Sequence, residues 1–92
     1  MNVINHNFYK ILLLNSVEKK VADERQKLIN ELIDAGNDPV VWKRRFRMLS
    51  QLSQWHSNIV KKIYQFETDS IEEYQQLDMV CQELATIVSR NA

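Results

Sequence analysis

The stretch Ile33-Asp34-Ala35-Gly36-Asn37-Asp38-Pro39-Val40-Val41-Trp42 decides the fold, because it closes one long helix and opens another within a single turn. Gly36 stands where a helix ends in a left-handed residue, a conformation that costs glycine nothing because it has no Cβ. Asp38 then fits the N-cap position, where a carboxylate can accept from the free N–H groups of the next first turn. Pro39 falls on the first helical position, where a missing N–H loses nothing. A link this short forces the two helices to lie side by side and antiparallel.

Outward toward the N-terminus, Leu14, Val17, Val21, Leu28 and Leu32, flanked by Ile29 and Ile33, recur at helical spacing and predict a helix over about 7–35. Arg25 interrupts this stripe, with a stem that can lie along apolar surface. Asn15-Ser16 marks a candidate kink, since both side chains compete for backbone hydrogen bonds. The first six residues are expected to fray. Outward in the other direction, a second helix over about 39–66 carries Trp42, Phe46, Leu49, Leu52, Ile59, Ile63 and Phe66. It breaks at Glu67-Thr68-Asp69-Ser70, where Ser70 and Glu73 have capping-box spacing. The third helix, over about 71–90, carries Tyr74, Leu77, Cys81, Leu84 and Val88 in steps of three and four.

The expected fold is therefore all-α: one domain over 1–92, a three-helix up-down-up antiparallel bundle of long helices. Three slender rods leave a thin core, and pairing of two copies is one way to complete it. Composition agrees with a globular chain of long helices. Of 92 residues 45% are hydrophobic and 26% charged, with one glycine and one proline to make turns. Cys81 is the sole cysteine, so no internal disulfide can form, and a reducing compartment is expected. The apolar run Ile11–Leu14 is too short for a signal peptide or for a membrane span of about 20 residues. On these grounds we expect a cytoplasmic protein with no membrane association.

Charge is neutral in total and polarised by segment. Residues 38–66 hold Lys43, Arg44, Arg45, Arg47, Lys61 and Lys62 against Asp38, net +5; residues 67–92 hold six acids against Arg90, net −5. An antiparallel pairing of the second and third helices would set basic beside acidic surface, with Lys61 and Lys62 meeting Glu67, Glu72 and Glu73. The Lys43–Arg47 cluster is left with Glu31 and Asp34, two acids for four bases. Its place in the first turns also opposes the helix dipole, by a few tenths to about 1 kcal/mol per cation. Internal neutralisation, an anionic protein surface and nucleic-acid phosphates are the three readings of Lys43, Arg44, Arg45 and Arg47.

Catalytic chemistry finds little footing. His6 and His56 lie far apart, no metal-ligand spacing exists, and one glycine cannot build a phosphate loop. Cys81 sits in an apolar stripe, which disfavours a thiolate nucleophile. No cofactor, metal or small-molecule substrate is expected, and the chain is not expected to be an enzyme. The feature that does ask for a partner is apolar excess. Phe8, Tyr9, Ile11, Leu12, Leu13 and Leu14 surround the first helix instead of lining one face, and a helix apolar all round is buried all round. Either this segment folds over the core, or it meets a second subunit or another protein. Met48 and Tyr64 lie off the stripe of the second helix, and residues of these types are enriched in interface centres.

The expected function is thus a non-enzymatic protein-binding module, a small adaptor, chaperone or inhibitor. Phe8, Tyr9, Leu12, Leu13, Met48 and Tyr64 would dock the partner, another protein or a second copy, and the basic cluster would orient it. The alternative is a nucleic-acid-associated regulatory factor that uses Lys43–Arg47 for phosphate contacts.

Overall fold

The computed structural model describes residues 5–91. Three helices follow in order: α1 (His6–Asp34), α2 (Pro39–Gln65) and α3 (Ile71–Arg90). Contacts between side chains fix their directions. Lys10, Glu18 and Glu31 of α1 meet Tyr64, His56 and Arg45 of α2, so the numbers run in opposite senses and the pair is antiparallel. His6, Ser16 and Glu24 of α1 meet Tyr74, Gln82 and Ser89 of α3, so the numbers rise together and that pair is parallel. The bundle is up-down-up, an elongated body of 61 × 17 × 15 Å.

The local signals act as their chemistry requires. Gly36 has φ +61°, and the Trp42 indole N–H closes the same turn by donating to the Gly36 carbonyl at 2.6 Å. The Asp38 carboxylate accepts from the backbone N–H groups of Val40 and Val41 at 3.0 and 3.3 Å. Ser70 accepts from the Glu73 N–H at 3.3 Å, but the Glu73 carboxylate turns to the Thr68 hydroxyl instead of back to Ser70. α1 starts one residue earlier than the spacing implies. Asn5 is an N-cap accepting from the Phe8 N–H at 3.1 Å, and His6 is already helical, its Nδ1 3.0 Å from the Tyr74 hydroxyl. The expectation for residues 1–4 lies outside the described residues. Nor does Asn15-Ser16 interrupt α1, because the Ser16 hydroxyl is occupied by the Gln82 amide at 3.0 Å.

The core is built from Leu13, Val17, Val21 and Leu28 of α1, Met48, Leu52 and Ile63 of α2, and Tyr74, Cys81 and Ala85 of α3. Each stripe is turned slightly from its expected line. On α2, Phe46 is exposed and its ring lies tilted against Trp42 at 5.2 Å, while Arg45 faces α1. On α3, the small residues Cys81, Ala85 and Ser89 face inward, which leaves Leu84 exposed and Leu77 and Val88 on the margin. On α1, the seam position between Val21 and Leu28 belongs to Glu24, not to Arg25.

Glu24 is the one carboxylate among the described residues that is shut off from water. A buried charge needs partners, and it has them. Its Oε2 accepts from the Ser89 hydroxyl at 2.8 Å, and its Oε1 from the Thr86 hydroxyl at 3.4 Å. Lys20 and Lys27 each bring an ammonium to 3.4 Å. Arg90 stands 3.7 Å from the same carboxylate and bonds Glu31 at 2.6 Å, and Glu31 meets Arg45 of α2 at 2.8 Å. Burial pushes the Glu24 carboxyl up, but the Ser89 hydrogen bond and the lysine charges outweigh it and hold it below the ordinary 4.5.

Candidate docking surfaces

The apolar start of α1 divides by face. Leu13 points into the core, 3% exposed, and Tyr9 is half-buried with its ring stacked on Tyr74 at 5.3 Å and an interplanar angle of 15°. The buried Tyr74 ring is enclosed on another side by Phe66, edge-on at 5.5 Å. This aromatic plug closes the end of the bundle and explains why half of the apolar run is structural. The other half is not. Phe8, Ile11 and Leu12 remain 52%, 56% and 48% exposed, and Tyr64 of α2 75%.

These exposed side chains gather at one end of the bundle, on two flanks of α1. Ile11 and Tyr64 lie on either side of a groove of about 440 Å³ between α1 and α2, floored by Leu14 and bridged by a Lys10–Glu67 ion pair at 3.2 Å. Lys10 also donates to the Tyr64 carbonyl at 2.9 Å, which ties the last turn of α2 to α1. Leu12 opens on the opposite flank, over a smaller cleft shared with Gln75 of α3. The groove is apolar with one internally satisfied ion pair, so an apolar side chain could enter without stranding a charge.

Two expected contact residues are thereby corrected. Leu13 and Met48 are core residues, 3% and 1% exposed, and neither can touch a partner in this fold. Met48 is buried because α2 turns its Arg45–Met48–Leu52 line inward, and the Arg45 guanidinium lies 3.4 Å from the Met48 sulfur. Ile11, part of the apolar Phe8–Leu14 segment, lies at i+3 from Phe8, a spacing that places both on one face.

The basic cluster also separates. Arg45 is committed to Glu31, a charge contact rather than an aligned hydrogen bond. Lys43, Arg44 and Arg47 have no carboxylate within 4 Å among the described residues, and with Pro39 and Val40 they line an open recess of about 630 Å³. Lys61 and Lys62 likewise lack the expected partners, because Glu67 is held by Lys10. No ion pair joins α2 to α3 among the described residues; every interhelical ion pair of α2 or α3 runs to α1. The cluster and the apolar rim are moreover at opposite ends of α2. Arg44 and Tyr64 are separated by about 30 Å at 1.5 Å per residue, so they cannot serve one small contact.

Cys81 is buried, and its thiol is pushed above the ordinary 9.0 by burial and then by the Asp78 charge. His56 donates to or accepts from Glu18 at 2.7 Å and acts as an α1–α2 clamp. Among the described residues no three His, Cys, Asp or Glu side chains converge, and no helix is long and apolar enough to cross a membrane. No family model, curated protein or solved structure matches the chain.

Proposed function

We propose that this chain is a non-enzymatic protein-binding module, a small adaptor, chaperone or inhibitor, whose docking surface is the rim formed by Phe8, Ile11, Leu12 and Tyr64. The observation that carries this reading is the exposure of four large apolar side chains at one end of the bundle, Ile11 and Tyr64 on one groove and Leu12 on a second cleft, where the core is already closed by Tyr9, Phe66 and Tyr74. Exposed apolar surface concentrated in one place marks an interaction site, whereas single exposed residues do not. A partner presenting an apolar helix face would bury the rim while the Lys10–Glu67 pair stays intact at its floor.

A second reading rests on the free cations. Lys43, Arg44 and Arg47 are exposed without a carboxylate partner among the described residues, which suits phosphate contacts of a nucleic acid. Salt separates the two. Association through the rim should be nearly indifferent to ionic strength and survive nuclease. Binding through three phosphates should weaken steeply, with a log–log salt slope of about −3, and vanish after Lys43→Ala/Arg44→Ala/Arg47→Ala.

A further inference from the structure

The outward face of α2 carries one uninterrupted polar stripe. Lys43, Arg47, Gln51, Gln54, Asn58 and Lys61 follow in steps of three or four, which places them on one side of the helix, and all are exposed. Arg44, Trp55 and Lys62 run beside it in a second line, and Trp55 shares a cleft with Ile87 and Val88 of α3. Arg45 and His56, which reach Glu31 and Glu18 of α1, fall on another side. No acid interrupts this surface. All 12 Asp and Glu residues lie outside 39–66. Among the described residues, none of Lys43, Arg44, Arg47, Lys61 and Lys62 has a carboxylate within 4 Å. The cations stand at the two ends of the stripe. Between them it is uncharged, and Gln51, Gln54 and Asn58 face Ile87 and Asn91 across a cleft of about 400 Å³. From Lys43 to Lys62 the track is about 28 Å long at about 1.5 Å per residue.

We infer that this stripe is the track of a single nucleic-acid strand laid along α2, with phosphates at both cationic ends and bases over the amides between. This deepens the phosphate reading of Lys43, Arg44 and Arg47 and rests on it. Five cations along one face, with no acid among them, match a repeating anion. The amides add what a plain lysine patch lacks. Gln51, Gln54 and Asn58 carry both donors and acceptors, which can meet the base edges that an unpaired strand exposes. Trp55, half-buried beside them, supplies aromatic surface, and stacking on such surface tolerates any base.

The middle of the track selects among anionic partners. A lipid surface calls for apolar side chains between the cations, to enter the acyl boundary, and amides stand there instead. An acidic helix would carry charge along its middle too, where no cation meets it. A duplex is disfavoured by α3, where Glu72, Glu73 and Glu83 are exposed and a second strand lying across that helix would meet them. Glu83 is one turn from Ile87 but does not line the cleft, so a single strand on α2 stays off it.

The test is fluorescence anisotropy of a labelled, mixed-sequence RNA strand of about 12 nucleotides with the full chain, across a range of salt. The strand should bind with a log–log salt slope of about −3.5, from five cations at about 0.7 each. Lys61→Ala/Lys62→Ala should weaken binding about tenfold and flatten the slope by about 1.4. Gln54→Ala/Asn58→Ala should weaken binding and leave the slope unchanged. All variants should keep the helical circular dichroism of the wild type, since every substituted side chain is exposed. Binding that is lost in Lys43→Ala/Arg44→Ala/Arg47→Ala but indifferent to Lys61→Ala/Lys62→Ala would overturn the track and leave the phosphate reading standing. Absence of binding to any nucleic acid at low salt would remove both. A duplex of the same sequence that binds as tightly, or polyglutamate that displaces the strand at equal charge, would also overturn the inference. None of these outcomes bears on binding of a protein by the α1 rim.

Discussion

The Glu24 carboxylate accepts a hydrogen bond of 2.8 Å from the Ser89 hydroxyl across the α1–α3 seam, with both residues closed to water. The two lie 65 positions apart in the chain, and only one register of α1 on α3 brings them together. A one-turn slip would leave a buried carboxylate facing apolar side chains, at a cost of several kcal/mol. The contact therefore acts on specificity, by excluding slipped bundles, more than on net stability.

Replacing Glu24 with alanine should destabilise the fold by about 2–4 kcal/mol, because Ser89 loses its acceptor and three cations lose their common counter-charge. Glu24→Gln keeps a hydrogen-bond acceptor for Ser89 and should cost less. Urea unfolding of both variants checks the order.

Acid should weaken the fold through the same group. The Glu24 carboxyl is held below its ordinary 4.5 in the folded state, so it contributes stability above that pH and the contribution is lost as pH falls through the lower folded value. Melting temperature measured from pH 6 downward should drop below about 4.5 in the wild type. The drop should be shallower in Glu24→Gln.

Gly36 has φ +61° and open space where a Cβ would stand. Gly36→Ala should then cost only the backbone strain of the left-handed conformation, about 1 kcal/mol, and Gly36→Asn less. A loss of several kcal/mol would mean that the turn is more crowded than the structure shows.

Leu12 and Leu13 are adjacent and should behave as opposites. Leu13→Ala removes a core side chain and should cost about 2–5 kcal/mol. Leu12→Ala, at the rim, should stay within about 1 kcal/mol, and thermal unfolding of the pair measures the difference.

Cys81 should be inert in the native protein, since the thiolate that reacts is suppressed by burial. Ellman's reagent should titrate it only in denaturant, and the rate in native buffer should follow global opening.

Helix type, number and limits were legible because their signals are local. Gly36, the Asp38-Pro39 pair and Ser70 each act on neighbouring backbone groups, and they act in the structure as the sequence implies. Which side of each helix turns inward was less legible, because the choice depends on groups distant in sequence. Leu84 reads as a seam residue by spacing, but Ala85 and Ser89 permit a closer approach to α1, and Glu24 locks that rotation. Met48 and Leu13 went inward for the same reason, with Arg45 drawn to Glu31 and Tyr9 to Tyr74. The expected α2–α3 charge pairing failed because α1 takes Arg45, Arg90 and Glu67 first. Of the expected contact residues, Phe8, Leu12 and Tyr64 are exposed, as is Ile11.

The central claim is that the α1 rim is a docking surface and not misplaced core. The most direct measurement is capture of nuclease-treated native extract on equal amounts of folded wild type and Ile11→Ser/Leu12→Ser, quantified by mass spectrometry. The account predicts that the variant keeps its helical circular dichroism and loses a specific protein that the wild type retains at moderate salt. A variant that unfolds, or one that captures the same proteins in the same amounts, would contradict it.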